Sequence, residues 1–136
     1  MTYTPNVLIV DDDPNAHFFA KRALRKSGGV NLFLQAYDGR QALQRLKDEN
    51  AAGGPKVTHI VLDLEMPELD GPGFLREFEK LPEDTRRDVR IVVVTAAPKV
   101  YRERLEGVEG YISDIIDKVL QADDCRRVLG DHWVET

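Results

Sequence analysis

The sequence of 136 residues lacks several features that mark specialised classes of protein. Cys125 is the single cysteine, so no disulfide can form within the chain, and this fits a reducing compartment. No apolar stretch approaches the roughly 20 residues of a membrane span. The first residues, Met1 to Pro5, lack the charged and apolar regions of a signal peptide. We therefore expect a cytoplasmic protein that does not act at a membrane.

Charge of one sign is not concentrated anywhere in the chain. The formal net charge is −5, and no block of lysine and arginine stands out. Such a block is typical of proteins whose main task is to bind nucleic acid, so this class is disfavoured. Repeats, low-complexity segments and linkers are missing too, and the length suits one domain. We expect a single domain over 1–136, with a core at about 5–130 and a C-terminal tail at 131–136.

Strand and helix signals alternate along the sequence. Short apolar runs, typical of strands buried on both faces of a parallel sheet, occur at 7–10, 30–36, 57–62, 89–94 and 115–116. Helical patterns follow these runs after Asp13-Pro14, after Asp38-Gly39, at about 73–81, around 99–106 and at roughly 123–129. Repeated βα units of this kind predict an α/β fold, a doubly wound parallel sheet with right-handed crossovers.

Carboxylates directly follow two of the predicted strands. Asp11 and Asp12, with Asp13 behind them, come after the run at 7–10, and Asp63 comes after the run at 57–62. Ligands of parallel sheets bind beyond the carboxyl ends of the strands, so these acids point at one place. Like charges held so close must be protonated, paired or neutralised by a cation. An all-oxygen site that keeps several waters suits Mg²⁺.

Two further residues complete this edge of the sheet. Thr95 ends the fourth strand, and Lys118 follows the fifth. A hydroxyl can donate a hydrogen bond to an incoming oxyanion, and a lysine can pair with its charge. Together with a metal ion beside Asp63, these groups predict a site for phosphoryl transfer onto a carboxylate.

Taken in order, these residues resemble the receiver domain of two-component response regulators, of the stand-alone, chemotaxis-receiver-like type. The likeness covers essentially the full chain and is carried by Val10-Asp11-Asp12, Asp63 with Met66-Pro67 and Asp70-Gly71, Val94-Thr95-Ala96, and Lys118. One of these motifs alone is weak, whereas all of them, in order and at strand ends, are highly specific. The resemblance implies a flavodoxin-like (βα)5 fold with five parallel strands in the order 2-1-3-4-5.

The resemblance also implies a function and a role for each site residue. Asp63 would accept a phosphoryl group from a sensor histidine kinase, so the chain would be a phosphoacceptor and not an enzyme. Mg²⁺ would be bound by Asp11, Asp12, Asp63 and the main-chain carbonyl of Glu65. The phosphoryl group would be sensed by Thr95, Lys118 and the backbone of Ala96.

The chain departs from the family pattern near the site. Val119 follows Lys118 where the family has proline, often after a cis bond. A non-proline cis bond costs about 2.5–4 kcal/mol, so this bond is expected to be either trans or strained. Ile115 stands where an aromatic switch residue is usual, and Glu65 adds a negative charge beside the phosphate and metal.

A second register is open for the fifth strand. Gly110-Tyr111 resembles the start of that strand, which would put the lysine position near Asp114. Lys118 is preferred because Leu120 and the helix at 123–129 follow it at the expected spacing.

Several other polar residues are assigned ordinary roles. Asp13 is predicted to cap the first helix, and Asp70-Gly71 to form a turn. Cys125 is expected to be an ordinary helix residue. The histidines, which have no ligand spacing, are His17, His59 and His132.

Two other functions are compatible with parts of the pattern. A haloacid-dehalogenase-type phosphatase also uses an aspartate nucleophile with Mg²⁺, and Asp11-Asp12-Asp13 has its Asp-x-Asp spacing, with Asp11 as the nucleophile. Against it, Asn15 stands where threonine or valine is usual, and 136 residues leave no room for a cap domain. The other alternative is a receiver that docks on partners without phosphate. The intact acidic set argues against it, whereas Val119 and the poor fourth helix leave it open.

A stand-alone receiver without an output domain must signal through its surface. One arrangement is a phosphate shuttle or docking protein, and the other is a homodimer whose interface responds to phosphate. Trp133 and Val134 in the tail favour a contact beyond the monomer. The sequence is also similar to single-domain receivers paired with phytochrome-type histidine kinases, through Leu64–Pro67, Phe74-Leu75 and Lys80–Pro82.

Overall fold

The computed structural model describes residues 5–26, 29–51, 56–97, 99 and 102–130. A parallel sheet of five strands forms its centre, in the order β2-β1-β3-β4-β5. The strands are β1 (Asn6–Val10), β2 (Leu32–Ala36), β3 (His59–Leu62), β4 (Arg90–Thr95) and β5 (Ile112–Asp117). Helices alternate with these strands along the chain. The predicted flavodoxin-like architecture and strand order are therefore confirmed.

Helices cover both faces of this sheet. They are α1 (Pro14–Arg25), α2 (Gly39–Ala51), α3 (Gly71–Phe78), α4 (Glu83–Arg86) and α5 (Cys125–Leu129). None of the helices in the described part of the chain has the length and apolar character that a membrane crossing requires.

The sheet separates two hydrophobic layers, because consecutive residues of a strand point to opposite faces. One layer joins the strands to α2 and α3, and includes Leu8, Ile60, Leu62, Leu46, Phe74 and Phe78. The other joins them to α1 and α5, and includes Val7, Ile9, Val61, Val92, Leu24 and Val128. With both faces buried, the strands read as nearly continuous apolar runs, and their carboxyl ends are left as the polar edge.

The helix predicted around 99–106 is not formed by the described residues of that region. Residues 102–108 make turns, and a 3-10 helix at Glu109–Tyr111 leads into β5. Gly107 has a φ of 90°, which lies outside the helical region and stops a regular helix there. Leu105 and Val108 are buried and anchor the segment to the core without a continuous apolar stripe. The prediction of a helix was therefore wrong.

The strand β5, at the edge of the sheet, begins at Ile112, three residues before the predicted run. Ser113, Ile115 and Asp117 on one side are exposed, whereas Ile116 on the other side is buried. A strand with one open side carries polar residues at alternate positions, which hides it from a search for continuous apolar runs.

Two helix bounds also differ from the predicted ones. The third helix begins at Gly71 instead of 73, because the Asp70 side chain accepts a hydrogen bond from the Gly73 amide and so sets its start. It ends at Phe78 instead of 81. Segment 83–88 is predicted as a polar loop, yet its first four residues form α4 after Pro82.

Candidate functional site

Neighbouring strands bring the acidic residues together. In the pairing of β1 with β3, Val10 lies opposite Leu62, so Asp11 and Asp63, which follow them, emerge side by side. The Asp63 amide donates to the carbonyl of Val10 at 2.9 Å. The backbone thus places both carboxylates at the same edge of the sheet, as the sequence predicts.

Asp11, Asp12 and Asp63 form an acidic cluster, in which one carboxylate oxygen from each lies within 4.8 Å of the others. Asp11 and Asp63 are each only 5% exposed, whereas Asp12 is open to solvent. Two buried oxygens with a third at the surface suit a hard cation that enters from solvent and keeps part of its water shell. The donor set therefore fits Mg²⁺.

Lys118 lies between the two buried acids. Its Nζ is 2.9 Å from Oδ2 of Asp11 and 3.5 Å from Oδ2 of Asp63. The Lys118 amide donates to the carbonyl of Thr95 at 2.9 Å, which ties the end of β5 to the end of β4. The peptide bond between Lys118 and Val119 is cis. Asp114, the position in the other register, points away and pairs with Nε of Arg127 at 2.6 Å.

The electrostatics of the site disfavour a negative charge on Asp63. Burial, followed by repulsion from the Asp11 carboxylate, raises the pKa of Asp63 from 3.8 to about 6, although Lys118 and the Glu65 amide pull it down. Burial lowers the pKa of Lys118, but the hydrogen bond to Asp11 and the charges of Asp63 and Asp11 outweigh it and raise the pKa overall. One fixed cation is thus insufficient for two buried acids, and a second positive charge would be stabilising.

Thr95 and Ala96 line the end of β4. The Thr95 side chain is buried, and its Oγ1 accepts a hydrogen bond from the Ala97 amide at 3.2 Å. Ala96 is exposed, and so is Glu65, which stands two residues after Asp63. Their roles toward a phosphoryl group or a metal ion stay predictions.

The acids assigned to ordinary roles do not belong to the cluster. Asp13 caps α1, and its Oδ1 accepts from the Asn15 amide at 2.9 Å. Asp70 caps α3 and pairs with Arg104. Cys125 is buried in α5. These carboxylates are used by helix ends and an ion pair, which leaves Asp11, Asp12 and Asp63 as the acidic cluster.

Sequence reasoning missed one residue at the site. His17, to which it gave no role, is buried in α1, and its Nε2 lies 2.7 Å from the carbonyl oxygen of Asp11. Its helical spacing to Ala20 and Leu24, both buried, is a signal that it faces inward. The other histidines are elsewhere: His59 bonds to Thr58 and to the carbonyl of Leu129, and His132 lies outside the described residues.

A family model described as the response regulator receiver domain matches residues 7–129. The chain belongs to this family. It is therefore a phosphoacceptor signalling module and not a catalytic enzyme, which goes against the phosphatase alternative with Asp11 as the nucleophile.

Known proteins share the fold and parts of the sequence. The DNA-binding dual master transcriptional regulator RpaA of Synechocystis is 26% identical over 121 residues, which is 88% of this chain and 45% of that protein. The chain thus spans less than half of that relative. A two-component response regulator from Cytophaga hutchinsonii gives a TM-score of 0.83 at 18% identity, over 95% of this chain and 96% of that one.

Two further solved structures are similar over almost the whole receiver. The bacteriophytochrome response regulator RtBRR has a TM-score of 0.77 at 22% identity, over 96% of this chain and 78% of that one. The receiver domain of a sensor histidine kinase from Pseudomonas aeruginosa, which holds a magnesium ion in its active-site cleft, has a TM-score of 0.75 at 25% identity, over 95% and 97%.

Proposed function

We propose that this chain is a stand-alone response regulator receiver that spans 1–136. It accepts a phosphoryl group on Asp63 from a sensor histidine kinase in a Mg²⁺-dependent reaction, and it signals through protein contacts that depend on phosphorylation. The single observation that carries the proposal is the acidic cluster with Lys118 between its two buried members.

The residues divide the chemistry among them. A carboxylate oxygen of Asp63 forms the new bond to phosphorus as the bond from phosphorus to the kinase's histidine nitrogen breaks, and that nitrogen keeps the electron pair. Lys118 supplies a fixed positive charge 3.5 Å from Asp63, toward which the phosphoryl oxygens can turn. The Thr95 oxygen accepts from Ala97, which leaves its hydroxyl proton available as a donor to the phosphoryl group.

The divalent ion has a defined place in this scheme. Asp11, Asp12, Asp63 and the main-chain carbonyl of Glu65 would hold Mg²⁺. When bound, the ion supplies positive charge that offsets the repulsion between the Asp63 carboxylate and the incoming phosphoryl oxygens. The raised pKa of Asp63 supports this role, because the acid is ionised at neutral pH only against a charge penalty that a cation removes.

The proposed partners follow from the sequence motifs and the site. A sensor histidine kinase, of the phytochrome type, is the phosphoryl donor, and the motif at Leu64–Pro67 supports that choice. A homodimer that uses Trp133 and Val134 is the proposed output, and these two residues lie outside the described part of the chain. The protein is proposed to act in the cytoplasm, away from membranes and nucleic acids.

Labelling with a small phosphoryl donor tests the proposal. Acetyl phosphate with Mg²⁺, or the cognate kinase, should phosphorylate the wild type and leave Asp63→Asn unmodified, as read by intact-mass spectrometry. Asp11→Asn should react more slowly on the same residue. Labelling that persists in Asp63→Asn and is lost in Asp11→Asn alone would favour the phosphatase.

The second candidate function is a receiver that docks on a partner without phosphate. The turns at 102–108, which stand where a regular helix was expected, favour it, because a surface of that kind need not respond to the site. An unlabelled wild type that still binds its partner would select this function over the phosphoacceptor.

A further inference from the structure

His17 is a buried polar residue to which the chemistry proposed above assigns no role. His17 is 1% exposed, and its ring packs against that of Tyr37 at a tilt of 38°, with ring centroids 4.5 Å apart. Nε2 lies 2.7 Å from the carbonyl oxygen of Asp11. A carbonyl can only accept, so Nε2 carries the proton and donates it.

The other ring nitrogen explains why this contact matters. Nδ1 of His17 is buried and has no hydrogen-bond partner among the described residues. Leaving a polar nitrogen unpaired in the interior is unfavourable, and an apolar side chain of similar size would fill the space without that cost. The Nε2 bond to Asp11 is the compensating interaction, since the described surroundings give the ring no other hydrogen bond.

With that bond, every polar group of Asp11 has a hydrogen-bond partner. Its amide donates to the carbonyl of Ala36 at 3.1 Å, and its carboxylate accepts from the Asp13 amide and from Lys118, each at 2.9 Å. His17 holds the remaining polar atom, the carbonyl oxygen. This oxygen belongs to the peptide plane between Asp11 and Asp12, so the imidazole sets the orientation of that plane.

Asp12 depends on this plane more than its neighbours do. It is exposed, and within the described part of the chain its side chain has no hydrogen bond or ion pair. Asp11 and Asp63 are held by Lys118, whereas Asp12 is aimed at the cluster by its backbone alone.

We propose that His17 is a positioning residue for the metal site, which orients the Asp11–Asp12 peptide and thereby the Asp12 carboxylate toward the cation. The inference rests on the proposed Mg²⁺-dependent function. An outer partner that orients ligands of a metal site changes metal affinity by about 10- to 100-fold when it is removed. His17 lacks contact with the cation and acts through a main-chain atom of its neighbours.

The test compares substitutions that differ in where they place a donor. Glutamine at 17 puts its amide nitrogen near the place of Nε2, whereas asparagine puts it near the place of Nδ1, and leucine offers no donor. Calorimetry with MgCl₂ should show a dissociation constant about tenfold weaker in His17→Leu and His17→Asn, and close to wild type in His17→Gln. Tyr37→Leu, which removes the ring contact and keeps the bond to Asp11, is the matched packing control and should bind Mg²⁺ like the wild type.

Nuclear magnetic resonance on the same proteins gives a readout that needs no metal. In the wild type, the imidazole of His17 should be the neutral tautomer with its proton on Nε2. The Asp12 amide resonance should shift in His17→Leu and His17→Asn and return toward its wild-type position in His17→Gln.

The outcomes separate the inference from the function on which it rests. If the wild type fails to bind Mg²⁺, the proposed function is wrong, and the Asp12 amide and the tautomer still decide whether His17 orients the peptide. The inference itself is overturned if the proton lies on Nδ1, if His17→Leu binds Mg²⁺ like the wild type, or if His17→Gln is as weak as His17→Asn. If Tyr37→Leu weakens Mg²⁺ binding as much as His17→Leu does, loss of packing explains the effect and the inference is wrong.

Discussion

Replacing Asp63 by asparagine should make the metal-free protein more stable at neutral pH, although it removes the proposed phosphoacceptor. Asparagine has nearly the same shape and carries no charge. The wild-type carboxylate is buried beside Asp11, which raises its pKa from 3.8 to about 6. The substitution therefore removes the cost of burying a charge, and the smaller repulsion from Asp11, both of which the folded state contains and the unfolded state lacks.

The pH dependence of this effect has a definite sign. Because the folded-state pKa of Asp63 lies above its unfolded value, the folded protein holds this proton more tightly between pH 3.8 and about 6. The favourable contribution of Asp63 is fully present below the unfolded pKa and is lost as the pH rises through the folded one. The advantage of the asparagine variant should be absent near pH 3.8 and complete above about pH 7.

The magnitude follows from the same pKa values. A rise from 3.8 to about 6 corresponds to about 3 kcal/mol against the ionised form. For a domain of this length, 1 kcal/mol moves the melting temperature by about 3–4 °C, so Asp63→Asn should melt about 10 °C higher at pH 7.5 without divalent ions. Mg²⁺ at ten times its dissociation constant should stabilise the folded wild type by about 1.4 kcal/mol. The difference in melting temperature between Asp63→Asn and the wild type should then become smaller.

Thermal unfolding followed by circular dichroism, in chelator and in MgCl₂ and across pH 4 to 8, measures the gain in stability, its pH dependence and the effect of Mg²⁺. Asp13→Asn is the matched control, because it removes a neighbouring charge and asparagine caps a helix as well as aspartate does. It should change the melting temperature little at pH 7.5 in chelator. An Asp63→Asn variant no more stable than the wild type at pH 7.5 in chelator would refute the electrostatic account of the site.

Other predictions test the metal site, an ion pair of β5 and the tail. Millimolar Mg²⁺ should raise the melting temperature of the wild type and do so less in Asp12→Ala, and an unchanged wild type would count heavily against the metal site. Asp114→Asn should lower the melting temperature at pH 7 and lower it by less at pH 3. The hydrogen bond from Arg127 lowers the pKa of Asp114, and stability from such an acid is lost as the pH falls; equal losses at both pH values would contradict it. Sedimentation of the full chain and of a chain that ends at Gly130, each with and without beryllofluoride, should show self-association only with the tail; monomers throughout would remove the homodimer.

The acidic cluster could be predicted because its acids come immediately after strands in the sequence. Asp11 directly follows β1, Asp63 directly follows β3, and parallel strands end at one edge. No knowledge of distant packing is needed to bring these side chains together. The same local logic assigned Asp13 to the cap of α1, where the structure places it.

His17 could not be assigned in this way. Its spacing to Ala20 and Leu24 indicates burial, but the partner of its imidazole depends on how α1 crosses the end of β1. Around 99–106 the sequence predicted a helix, and the structure has turns at 102–108. Their few apolar anchors are too sparse to show a period, and Gly107 takes a backbone conformation that composition alone does not specify.

The sequence by itself determined the class of fold and the chemistry of its edge, since apolar runs, helical spacing and strand-end acids are local patterns that each strand carries with it. Tertiary structure decided what the residues at the end of β5 contact. A shift in pairing between Ile91 and Val92 adds one residue to β5, which no sequence pattern indicated. Packing against β4 and α5 places the ammonium of Lys118, just after β5, between two buried carboxylates and turns Asp114 toward Arg127. These contacts join segments that are distant in sequence, so no local pattern encodes them.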